Sequence, residues 1–215
     1  MSREATPAAQ LTRLAAIFYG LLAAASLAAL LLRGHAHVLR ADPQAPLARF
    51  GLAGDLALDA AIGLLLGLAI AAAGQAAGDL RALRALSERL RELLRGLTPA
   101  QALLLALFSG AGEELLFRGA MFEELLPRLG PAWTLVATSL LFAAAHVGRD
   151  RRLLVWTALS LAIGFLLGGL RLLTGSLVAP ITLHVTVNGL NLLLESWETP
   201  SAPPPAGGSR DAPAG

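Results

Sequence analysis

Six residues carry most of the reactive chemistry in this chain: Glu113, Glu114, Arg118, His146, His184 and Asn188. Each sits within or beside an apolar run, where an unpaired ionisable group is strongly disfavoured, so each is a candidate for a protein-lined polar site. Glu114 and Arg118 are four apart and share one helical face, whereas Glu113 is turned about 100° away and remains free for another partner. A carboxylate and an imidazole facing one cavity can take a proton from water, which assigns Glu113 and His146 to a general-base pair. His184 and Asn188, again four apart, offer ring and amide N–H groups to the oxyanion that develops when a peptide carbonyl is attacked. With no cysteine in the chain, thiol chemistry is excluded. Ser109 and Ser139 lack the G-x-S-x-G setting of a nucleophilic serine, so the nucleophile is expected to be water. Two glutamates and two histidines could also ligate zinc. The absence of an H-E-x-x-H sequence and the asparagine in the last pair instead favour chemistry without a metal cofactor.

These residues must be held by membrane helices. The chain has 215 residues, of which 55% are hydrophobic and 15% charged, with a mean hydropathy of +0.64. A soluble domain would carry charge on about a quarter of its residues. Stretches free of Asp, Glu, Lys and Arg cover 14–32, 60–78, 96–112, 129–147, 153–170 and 172–194, each near the ~20 residues a helix needs to cross ~30 Å of hydrocarbon. They are rich in Leu and Ala rather than β-branched residues, which favours helices over strands. The expected fold is therefore all-α, a polytopic membrane bundle of about six transmembrane helices. Residues 79–95 alternate leucines with five arginines and predict an additional amphipathic interfacial helix. Its acidic residues and apolar face argue against nucleic acid as a partner; the expected partners are the lipid bilayer and a membrane protein or peptide substrate, with the oligomeric state left open.

The first run is too long for a signal peptide and reads as a retained anchor. All seventeen basic residues are arginine. An inside N-terminus puts Arg3, Arg13, the five of the amphipathic segment, and Arg149, Arg151 and Arg152 on the cytoplasmic face of a multi-pass protein of the cell inner membrane. Thr98-Pro99-Ala100-Gln101 predicts a capped helix start, Pro127 its end, and Gly130-Pro131 a turn. The chain divides into two N-terminal spans with the amphipathic linker (1–96), a core bearing the reactive residues (97–196) and a disordered tail (197–215). Asp55 and Asp59 are expected at a helix end facing water with Arg49, His35 and His37 exposed in a loop, and Glu124 paired with Arg128. Phe142 is read as packing beside His146, Trp133, Trp156 and Trp197 as packing or interface anchors, and Gly63-x-x-x-Gly67 and Gly164-x-x-x-Gly168 as weak signs of a dimer. A simple six-span layout places Glu113 ~22 Å along its helix from Thr98 and His146 near the cytoplasmic end of its span, so the two would differ in depth.

Glu113-Glu114-x-x-x-Arg118, Phe142-x-x-x-His146 and His184-x-x-x-Asn188, together with Arg118-Gly119 and the 174–180 segment TGSLVAP, resemble the three motifs of the CAAX prenyl protease and bacteriocin-processing (CPBP, or Abi) family. These are intramembrane glutamic endopeptidases related to the Ras-converting enzyme. The resemblance covers roughly residues 97–194. It implies that Glu113 with His146 activates water, that Glu114 and Arg118 support the site, and that His184 with Asn188 stabilises the oxyanion. It also implies proteolysis, with removal of a C-terminal tripeptide from prenylated proteins in eukaryotic members. The chain lacks the two extra spans of the eight-helix members, and its N-terminal half carries none of these motifs. The competing readings are a zinc-dependent protease using the same residues and a noncatalytic membrane scaffold or immunity protein. A transporter is disfavoured because paired inverted repeats are not visible.

Overall fold

The computed structural model describes residues 7–148, 150 and 153–197. Among the described residues, seven α-helices make up the bundle: α1 (Pro7–Leu32), α2 (Leu56–Ala76), α3 (Arg81–Leu93), α4 (Pro99–Glu114), α5 (Met121–Ala145), α6 (Leu154–Thr174) and α7 (Val178–Trp197). Two short 3-10 turns, Ala36–Leu39 and Pro46–Phe50, lie between α1 and α2, and a π-helical stretch, Leu115–Ala120, joins α4 to α5. Arg3, Arg149, Arg151, Arg152 and the tail beyond 197 lie outside the described residues.

Among the described residues, four helical runs are long and apolar enough to cross a membrane: Ala9–Leu32, Leu56–Ala76, Pro99–Ala145 and Leu154–Thr174. Of the six expected, the third and fourth charge-free stretches both lie within Pro99–Ala145, on either side of the break at Gly130, and α7, which carries His184, Asn188, Asn191 and Glu195, is not among the four. The protein is a polytopic all-α bundle whose surface is apolar and whose interior holds charge. Leu14, Ile17, Leu21, Leu65 and Leu103 are exposed, whereas Glu114, Arg118, Asp59 and Thr138 are fully buried. In water so much apolar surface would drive aggregation; in lipid it is the solvated face.

The turn that shapes the site is Gly130. Thr98 starts the preceding helix with both hydrogen bonds of a capping box, Gln101 N–H to Thr98 Oγ1 and Thr98 N–H to Gln101 Oε1. Helical hydrogen bonding then continues past Pro127, three residues beyond the predicted stop. The chain leaves helical dihedrals only at Gly130 (φ 71°, ψ 170°), a conformation that residues with a Cβ rarely adopt. Beyond Gly130 the chain runs back antiparallel. Phe117 meets Phe142 edge-to-face, while Phe122 and Leu135 both flank Gly168.

The other helices close around this hairpin. α2 packs on α7 and α1 on α4. A Cβ on Gly67 would lie 2.7 Å from Thr186 Cβ, and one on Gly63 would strike the Ala179 carbonyl, so this glycine pair is used inside the chain, against α7. Gly164 and Gly168 likewise face Ser139 and Leu135. α3 is amphipathic as expected, burying Leu86 while Arg89 pairs with Asp150 (3.1 Å) and Arg91 with Glu195 (2.6 Å). Asp55 caps α2 through the Ala57 and Leu58 amides. Asp59 departs from its expected exposure to water: it is fully buried and accepts a 2.5 Å hydrogen bond from Ser176 Oγ, tying α2 to the turn before α7.

Candidate active site

Glu113 and Glu114 close α4, and both are buried. The π-stretch that follows widens the helix at this point, a distortion common where a helix carries function. Within it, fully buried Arg118 donates through Nη1 to Glu114 Oε1 (3.0 Å) and through Nη2 to the Gly164 carbonyl (2.9 Å), with its guanidinium 4.4 Å from the Phe142 ring centre. Glu114 also receives His184 Nδ1 at 2.9 Å. One carboxylate thus holds both the arginine of its own helix and the histidine of α7.

Glu113 is turned to the opposite task. Its Oε2 is buried without a hydrogen-bond partner among the described residues, 3.7 Å from His146 Nε2 and 3.9 Å from His184 Nε2. These separations are too long for direct hydrogen bonds, and a water placed to one side of the pair would be within reach of both the carboxylate and the His146 ring. His146 Nδ1 lies 2.7 Å from the Phe142 carbonyl. That contact requires a proton on Nδ1, so in the neutral ring the Nε2 lone pair faces Glu113. The antiparallel return from Gly130 brings the two together: α5 runs back until His146 stands beside Glu113, which removes the depth mismatch of the simple six-span layout.

A cavity of about 380 Å³ adjoins this pair. Tyr19, Glu113 and His146 give it polar atoms; Phe18, Leu22, Leu116, Phe117, Leu153 and Trp156 give it an apolar wall. Trp156 is 5.6 Å from the His146 ring, centre to centre, so it lines the site rather than serving only as packing or an interface anchor. Phe142 fills the expected place beside His146, at 4.6 Å. His184 and Asn188 lie outside the cavity lining; Asn188 Nδ2 donates to Ser109 Oγ at 3.3 Å. Glu113, Glu114, Arg118, His146 and His184 therefore form one connected cluster, with Asn188 linked to α4 at its edge.

Tyr19 is the residue that sequence reasoning missed. It comes from α1, interacts with Glu113, and sits where Gly112 brings the two helices into contact: a Cβ there would lie 3.0 Å from the Tyr19 carbonyl. It is the only tyrosine in the chain, and that was the one signal available. Zinc ligation by Glu113, His146 and His184 fits the donor types, since Glu114 leaves His184 only Nε2 to offer. However, the His/carboxylate group found among the described residues with its ligand atoms all within 4.8 Å of one another is a different one, His35, His37 and Glu123.

Residues 95–190 match the sequence profile of a family described as Type II CAAX prenyl endopeptidase Rce1-like. No curated protein and no solved structure matches the chain.

Proposed function

With residues 95–190 belonging to the Rce1-like family of type II CAAX prenyl endopeptidases, we propose that this chain is an intramembrane endopeptidase in which Glu113 and His146 activate water. The observation that supports it best is the buried Glu113 Oε2, without a protein hydrogen-bond partner among the described residues and 3.7 Å from Nε2 of His146, whose other ring nitrogen is held at the Phe142 carbonyl. Water held by both groups attacks the peptide carbonyl carbon, Glu113 takes its proton, and the proton passes to the leaving amine as the C–N bond breaks. His184 donates to the oxyanion through Nε2 as an imidazolium, the form that lets its other nitrogen keep donating to Glu114. Asn188, one helical turn further along α7, is assigned the second donor. Glu114 and Arg118 act by orientation.

The apolar wall of the cavity suits a lipid-modified or membrane-embedded peptide, and C-terminal CAAX-type processing is the substrate class the family description points to. The location proposed is a cell inner membrane with the N-terminus in the cytoplasm. Glu113→Gln separates this reading from a noncatalytic scaffold. Cleavage of a farnesylated CAAX peptide by the purified protein should fall about 10²- to 10⁴-fold while membrane insertion and amount stay constant. Unchanged cleavage would exclude Glu113 as the base, and an unchanged cellular phenotype at full strength would favour the scaffold.

A further inference from the structure

His35 and His37 bracket the first residue of the 3-10 turn that follows α1, and Glu123 lies in the first turn of α5, about 14 Å along the helix from the hydrolytic glutamates. The three side chains converge. His37 Nε2 is 3.2 Å and His35 Nδ1 3.9 Å from the same oxygen, Glu123 Oε2, and all three ligand atoms lie within 4.8 Å of one another. Two donors bound tetrahedrally to one ion at ~2.0–2.1 Å are ~3.3 Å apart, a value that the two measured separations bracket. The imidazole planes stand at 72° with centres 6.1 Å apart, so the rings radiate from a shared point rather than stack.

The surroundings are built to hold that geometry. Glu123 is buried, and Arg171 of α6 grips its other oxygen at 2.5 Å, which fixes the carboxylate and turns Oε2 toward the histidines. The turn carrying the histidines is anchored by Val38, fully buried against Leu30 and Leu177, whose carbonyl accepts the Leu177 amide at 2.8 Å. His37 remains 62% exposed, giving an ion a way in.

We propose that His35, His37 and Glu123 bind a divalent transition cation of the zinc class, with water completing the coordination, and that the ion clamps the end of α1 to α5. Two imidazoles and one carboxylate oxygen are the donors such ions prefer; calcium and magnesium call for six or more oxygens, or for octahedral oxygen shells. The site is separate from the hydrolytic cluster and does not depend on that activity.

Cobalt(II) titration of the metal-stripped full-length protein in detergent provides the test, because tetrahedral cobalt absorbs in the visible. One saturable equivalent is expected, with affinity lowered at least about 100-fold in His35→Ala and His37→Ala, and retained when His146 and His184 are both replaced by alanine. Absence of a saturable visible band in the wild type, an unchanged isotherm in His37→Ala, or loss of binding in the His146/His184 double variant would each overturn the proposal. His37 is largely exposed, so its replacement leaves the fold intact.

Discussion

Arg118→Met probes the support beneath the site. The change keeps an unbranched chain of similar reach but removes two buried hydrogen bonds, to Glu114 Oε1 at 3.0 Å and to the Gly164 carbonyl at 2.9 Å, and the guanidinium over Phe142 at 4.4 Å. Glu114 is then left fully buried with His184 as its polar partner. Stranding a buried charge costs about 3–5 kcal/mol, and loss of the cation–π contact adds about 1 kcal/mol. At about 2–4 °C per kcal/mol for a chain of this size, the total of about 4–6 kcal/mol should lower the thermal midpoint in detergent by roughly 8–24 °C. Adding Glu114→Gln removes the stranded charge while keeping an acceptor for His184, so the double variant should recover more than half of the loss. A single variant within about 2 °C of wild type, or a double variant less stable than the single, would refute the placement of this pair in a dry interior.

Tyr19→Phe removes only the hydroxyl beside Glu113. A hydrogen bond to a charged group is worth about 1.5–3 kcal/mol, so kcat should fall about 10- to 100-fold with KM little changed; a change in KM alone would make Tyr19 a substrate contact instead. Gly67→Val would press a side chain into Thr186, 2.7 Å away at the Cβ, and should destabilise the α2–α7 contact by about 1–3 kcal/mol in a thermal scan. Ser176→Ala takes away the hydroxyl that satisfies buried Asp59 and should cost about 1.5–3 kcal/mol in the same assay; an unchanged midpoint would mean that Asp59 is neutral or hydrated.

Much of this arrangement was legible because lipid makes polar residues informative. Glu113, Glu114, Arg118, His146 and His184 stood out against apolar runs, and the structure brings them together. Local rules also worked where one residue decides the outcome, as with the Thr98 capping box, the Asp55 cap and the Glu124–Arg128 pair (2.9 Å). What escaped depends on long-range packing. A π-stretch has no composition of its own, so residues 115–120 read as ordinary helix. The turn expected at Gly130-Pro131 is found, but the helix runs on past the stop expected at Pro127 to reach it, because its neighbours hold it helical to that point. Tyr19 went unassigned and Trp156 read as packing or an interface anchor because only the meeting of α1, α4, α5 and α6 makes them cavity walls. His35 and His37 were read as a loop pair, since Glu123, eighty-six residues beyond His37, is adjacent only in the folded chain.

The central claim is that Glu113 and His146 act as one unit on one water. Its most direct test is a kinetic cycle on metal-depleted protein, comparing peptide cleavage by the wild type, Glu113→Gln, His146→Ala and the double variant. Depleted wild type should retain its rate, each single variant should lose about 10²- to 10⁴-fold, and the double variant should lose little more than either single. Activity that disappears on depletion and returns only with zinc, or losses that multiply in the double variant, would contradict it.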